Sequence, residues 1–252
     1  MPIIRAGAQL IYYAHVPKCG GSSVERYLTD RFGPIAFVDT RHHSLRPERR
    51  WSRSSPQHID LVSFERLFPR GFFDASFAIV RHPVARLVSA YHFQLEVERS
   101  TPAAFSFSDW LDMIPETLAE IPFAYDNHIL PMTQIVPEGA RVFHIEHGVD
   151  AIIPWFDELT GVVCGPRAMR RVNEHKGRGG AKEKPSATDI ARIAEIYAED
   201  FERFGYTPDD RTPTAPAPFL PPDFIAARDA ELAQDARPLR WLKGRLVRNM
   251  DR

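Results

Sequence analysis

Cysteine is scarce in this sequence. Cys19 and Cys164 are the only two in 252 residues, too few for a disulfide framework, so a reducing compartment is expected. Long hydrophobic runs are missing too. The run Leu10-Ile11-Tyr12-Tyr13-Ala14-His15-Val16 is far too short to cross a bilayer and reads as a buried strand. Met1 to Gln9 carry Arg5 with no long apolar core behind them, so no secretory leader is expected and the expected location is cytoplasmic. An excess of either charge is also lacking. Thirty-two Lys and Arg against 33 Asp and Glu leave a formal charge of −1, which argues against general nucleic-acid binding. Any anion site must be built locally. The ten histidines are scattered without tight ligand spacing, so no metal is expected.

What is present suits one α/β domain with a proper core: 44% hydrophobic and 26% charged residues. The chain reads as strand, turn, helix, repeated. After Leu10–Val16 and a loop, Val24, Tyr27 and Leu28 fall on one helical face. Gly33-Pro34 stops that helix, and Ile35 to Val38 reads as a second strand. Leu61 to Phe68 reads as a short helix, Phe77–Val80 as a buried strand, and Pro83 as the start of a helix carrying Leu87, Val88, Tyr91 and Leu95. A helix near Asp109 to Ile114, a strand at Val142 to Glu146 and a last core helix from Thr188 to Phe204, capped by Ser186 with Asp189, complete the pattern. The expected fold is a three-layer, P-loop-like α/β arrangement, a parallel sheet flanked by helices. It divides into a domain over 1–206, a Pro-rich linker over 207–222 and a basic helical tail over 223–252.

Two segments carry chemistry. Lys18-Cys19-Gly20-Gly21-Ser22-Ser23 joins a strand to a helix, where unpaired N–H groups and the helix dipole favour an anion. The glycines admit close approach, Lys18 brings charge, and the Ser22 and Ser23 hydroxyls can donate. The lysine precedes the glycines, unlike a Walker A loop. The plainer alternative is a tight turn with a serine cap, and Cys19 also invites a nucleophile reading. The second segment runs from Arg81 to Tyr91. Arg81 stands at the end of a strand, where a guanidinium can hold a phosphate by two bonds, and Ser89 lies two turns along the following helix.

Together His15-Val16-Pro17-Lys18-Cys19-Gly20-Gly21-Ser22-Ser23 and Ala78-Ile79-Val80-Arg81-His82-Pro83 through Ser89-Ala90-Tyr91 resemble the phosphosulfate loop and the 3′-phosphate segment of carbohydrate-type sulfotransferases. That group uses 3′-phosphoadenosine 5′-phosphosulfate (PAPS) and includes the heparan 2-O-sulfotransferases. Threonine is usual where Cys19 stands, and Asp or Asn where His82 stands. Weaker similarity at Asp126-Asn127-His128, Val172–His175 and Asp200–Tyr206 extends the resemblance over residues 10–206. It implies PAPS as co-substrate and a hydroxyl acceptor, with a saccharide favoured, and no metal.

For this chemistry Lys18 would neutralise the leaving phosphate, and a base with pKa near neutrality would take the acceptor's proton. Gln57-His58 resembles the histidine segment of the 2-O-sulfotransferases, so His58 is the candidate base. His15 reads as packed and hydrogen-bonded, His42 and His43 as contacts for an acidic acceptor, His82 and His92 as orienting or packing groups, and Glu25 as a weaker alternative base. In the basic, glycine-rich stretch Arg167 to Lys184, Lys176 and Arg178 are candidates to close over the nucleotide. The alternatives are a non-catalytic nucleotide or anionic-glycan binder and a small-molecule kinase. The tail, with Trp241, Leu242, Leu246 and Val247, could touch a membrane surface but reads better as a packing helix. Oligomeric state stays open.

Overall fold

The computed structural model of the chain describes residues 1–170 and 184–235. Lys176, Arg178 and the basic run around Trp241 lie outside the described residues.

A four-stranded sheet in the order β1 (Ile3–Ala6), β2 (Gln9–Ala14), β3 (Ala75–Val80), β4 (Arg141–His144) forms the centre. β2, β3 and β4 run parallel, as expected, and β1 adds an antiparallel edge strand. The sequence reading missed β1, a strand of four residues interrupted by the exposed Arg5. Ile3 and Ile4 are nevertheless buried, because a two-residue turn at Gly7 folds β1 back on β2. The second strand expected at 35–38 is not formed. That segment makes one isolated bridge, Ile3 to Ala36, and Phe37 takes a positive φ that breaks extended structure.

Alternate residues of β2 face opposite layers. Tyr13 stacks on Phe77 at 4.7 Å, and Phe77 meets Phe156 of α6 (Ile152–Thr160), which also touches Phe32 of α1 (Gly21–Phe32). Tyr12 turns the other way and stacks on Phe64 of α2 (Leu61–Leu67) at 4.2 Å. α3 (Pro83–Glu96) begins at the proline after β3. The helix expected near Asp109 is split into α4 (Phe107–Asp112), with a Ser106–Asp109 capping box, and α5 (Ile114–Glu120).

The long helix expected over 188–204 is likewise two, α7 (Ala187–Ile196) and α8 (Ala198–Phe204). The break falls at Tyr197, whose hydroxyl donates to the Ile129 carbonyl at 2.6 Å. It lets Asp200 turn inward and accept from the N–H groups of Met132 and Thr133 at 2.9 and 2.8 Å. After Pro-rich residues 207–221, α9 (Pro222–Asp235) returns to the body, burying Phe224. No helix of the described residues is long and apolar enough to cross a membrane.

Candidate active site

The parallel strands bring three turns to one edge of the sheet. After β2, residues His15 to Gly20 turn into α1. Lys18 and Gly20 both have left-handed φ, +69° and +86°, and such alternation lets successive N–H groups converge. The Ser23 and Val24 N–H groups fold back on the Gly20 carbonyl at 3.1 and 3.4 Å. Those just before them have no place in the helical ladder, as at any helix start. No acidic side chain sits in the first turn of α1 to quench its dipole. Chemically this is a cradle for an anion.

Cations gather at the same edge. The Lys18 ammonium lies 3.9 Å above the Phe93 ring. Burial, reinforced by the Arg81 charge, pushes its pKa down to about 8. Arg81 donates to the Lys18 carbonyl at 3.1 Å. Arg86, only 1% exposed, donates to the carbonyls of Pro17 and His128 at 3.2 and 3.1 Å. The α3 segment therefore straps the loop from beneath. Beyond β4, Glu146 accepts from the His82 N–H and the Tyr206 hydroxyl, each at 2.8 Å, and His82 Nε2 donates to the Thr207 carbonyl at 2.9 Å.

His58 sits at the end of a short helical turn and is 8% exposed. Its Nδ1 donates to Asp126 Oδ2 at 2.5 Å, and Asn127 Nδ2 donates to the His58 carbonyl at 2.7 Å. The Asp126 carboxylate also accepts from the Ser55 N–H at 2.5 Å and the Ser55 hydroxyl at 2.7 Å. Tyr125, Asp126 and Asn127 all have left-handed φ, between 50° and 62°. Each such non-glycine residue costs about 1–2 kcal/mol, offset here by the bonds that the Asp126 and Asn127 side chains make to Ser55 and His58.

Edge contacts surround the His58 ring, with His15 at 4.8 Å and His128 at 5.1 Å between centroids. His128 in turn meets Phe93 at 4.9 Å, the ring under Lys18. Burial pushes the His58 pKa down to about 4, outweighing the upward pull of Asp126. His58 therefore does not meet the expectation of a base with pKa near neutrality. Its Nε2 is held ready as a neutral acceptor. By spacing alone, His58, Asp126 and His128 offer three metal-ligand atoms within 4.8 Å. Both Asp126 oxygens are already taken by Ser55 and His58, and Gln94 Nε2 donates to His128 Nδ1 at 3.1 Å, so the donor set is engaged in hydrogen bonds.

Lys18, Gly20, Gly21, Arg81 and His58 thus come together at one edge. Ser22 is exposed and Ser23 half-buried at the start of α1, and Ser89 is half-buried on α3. The Cys19 side chain belongs to the core, with burial pushing its thiol up to about 12, which removes the nucleophile reading. Sequence reasoning missed the roles of Arg86, Glu146 and Ser55. Asp126 stood inside a weakly similar segment, but no local signal tied it to His58. A cavity of about 900 Å³ lined by Tyr12, Phe64, Phe68 and Arg203 shares none of these residues.

A glycine turn at a helix start, cations at the neighbouring strand end and a buried histidine–carboxylate pair meet at one edge of an α/β sheet. The chain belongs to the sulfotransferase family, whose model matches residues 1–207. The family's chemistry is transfer of a sulfuryl group from a sulfonate donor to an acceptor. Comparison with the curated proteins and with the solved structures gives no match.

Proposed function

We propose that the chain moves the sulfuryl group of PAPS to a hydroxyl, most suitably on an anionic saccharide. In this reading the loop from Lys18 to Ser23 holds the 5′-phosphosulfate, and Arg81 with Ser89 holds the 3′-phosphate. The acceptor oxygen attacks sulfur in line with the leaving oxygen. Its proton passes to His58 Nε2, the new O–S bond forms, and the S–O bond to the 5′-phosphate breaks to release 3′-phosphoadenosine 5′-phosphate. Asp126 steadies the imidazolium as it forms, while Lys18 and the loop N–H groups neutralise the leaving phosphate.

The observation that carries the reading is adjacency. The His58 ring is linked to the phosphate loop by two short routes: through His15 to Gly21, and through His128 and Phe93 to Lys18. For the acceptor, support comes from the stretch leading to His58, which carries Arg41, Arg46, Arg49, Arg50 and Arg53 around a 67% exposed Trp51. Guanidinium groups suit carboxylates or sulfates, and an indole face suits a sugar ring.

The test is turnover with PAPS over a panel of neutral and uronic-acid oligosaccharides, native protein against His58→Gln. The variant should lose about 100-fold or more in turnover yet bind the desulfated nucleotide within about twofold of native. Undiminished turnover would remove His58 as the base.

A further inference from the structure

His15, set aside in the sequence as a packing residue, occupies an unusual seat. Its Nδ1 donates to Glu25 Oε1 at 2.8 Å, and its ring stacks on Tyr13 at 5.2 Å. Its other edge faces Gly21, where an added Cβ would lie 1.7 Å from His15 Nε2. Gly21 and Glu25 are one helical turn apart on the same face of α1. The imidazole thus slots against the first turn of the helix that opens the phosphate loop, fitting only because residue 21 has no side chain. On its remaining side it meets the edge of His58 at 4.8 Å and 83°.

We infer that His15 is a positioning residue that couples the phosphate loop to the base: wedged between Gly21 and Glu25, it transmits any shift of the loop to His58. This rests on the reading of the loop as the donor site and of His58 as the base. The coupling is steric. Gly21 has ordinary helical geometry rather than a positive φ, so alanine there is permitted by the backbone, and its nearest obstruction is the His15 ring. The charged and titratable groups that face this ring are Tyr13 from β2, Glu25 from α1 and His58 with Asp126 behind it, while the Met1 amino group, which donates to the Pro56 carbonyl, acts on Glu25 and Asp126.

The experiment compares native protein, Gly21→Ala, His15→Ser and the double variant. It reads affinity for 3′-phosphoadenosine 5′-phosphate by calorimetry and the His58 imidazole by NMR titration. Gly21→Ala should weaken the nucleotide at least about tenfold, as a misplaced loop does. It should also move the His58 midpoint by about half a unit or more, although residue 21 does not itself lie on His58. Adding His15→Ser should restore affinity to within about threefold, because the ring that clashed is gone. His15→Ser alone should keep that affinity but lower turnover at least about tenfold, since His58 loses its lateral support.

A double variant binding as poorly as Gly21→Ala, or a His58 titration untouched by Gly21→Ala, overturns the coupling. Failure of the native protein to bind the nucleotide would instead overturn the donor-site reading. In that case the NMR titration still decides whether residue 21 acts on His58 through His15.

Discussion

His58 Nδ1 donates a hydrogen bond to Asp126 at 2.5 Å, which leaves Nε2 as the acceptor nitrogen, so the proposed base works only while the carboxylate fixes that tautomer. Asp126→Asn should lower turnover by about 100-fold or more while leaving nucleotide affinity unchanged, and steady-state kinetics beside calorimetry would show the split. The same burial shows in stability. An unfolded histidine binds its proton below pH 6.5, whereas His58 stays neutral down to about 4. The unfolded chain therefore holds more protons across that window, and stability contributed by this site is lost as pH falls from 6.5 toward 4. Urea midpoints should drop over this range more steeply in native protein than in His58→Gln; parallel curves would contradict the assignment. Lys18 gives the opposite edge of the pH range. Its ammonium is charged below about 8, so affinity for the doubly phosphorylated nucleotide should be flat up to pH 8 and fall by up to about tenfold per unit above it.

Among the elements, those with local rules were readable from the sequence. β2 into the glycine loop into α1, and β3 into Pro83 and α3, follow from apolar runs meeting glycine or proline. The pairings that complete the site were not readable. Asp126 reaches His58 across 68 residues, through a left-handed turn built without glycine, and nothing in Tyr125-Asp126-Asn127 announces it. The tertiary bonds from Asp126 to Ser55 and His58 and from Asn127 to the His58 carbonyl help hold that backbone. The break between α7 and α8 is of the same kind. Helical spacing runs unbroken through Tyr197, but burial of its hydroxyl on Ile129 and of Asp200 on residues 132–133 divides the helix. Asp200→Ala would leave the buried Met132 N–H and the part-buried Thr133 N–H unsatisfied, so unfolding free energy should fall by about 2 kcal/mol. An unchanged urea midpoint would show that those bonds carry no stability.

At the scale of the whole molecule, the near-zero net charge makes the clustering of Lys18, Arg81 and Arg86 at one sheet edge the more telling feature. The fold concentrates there what the composition does not supply in bulk. Helix α9 joins the same body. α9 buries Phe224 under the Arg167 guanidinium at 5.1 Å, while Arg228 pairs with Asp150 at 3.3 Å. Phe224→Ala should cost about 3–5 kcal/mol of stability with nucleotide affinity retained, because none of these contacts touches the phosphate loop. Thermal unfolding and calorimetry on the same sample separate the two.

The most direct test of the account is titration of 3′-phosphoadenosine 5′-phosphate into the native protein, beside 5′-AMP and ATP, and into Arg81→Ala. The account predicts micromolar binding that requires the 3′-phosphate and weakens by about 100-fold or more in Arg81→Ala, as loss of a bidentate charged partner does. Equal binding of ATP, or no binding of the 3′-phosphorylated nucleotide, would contradict it.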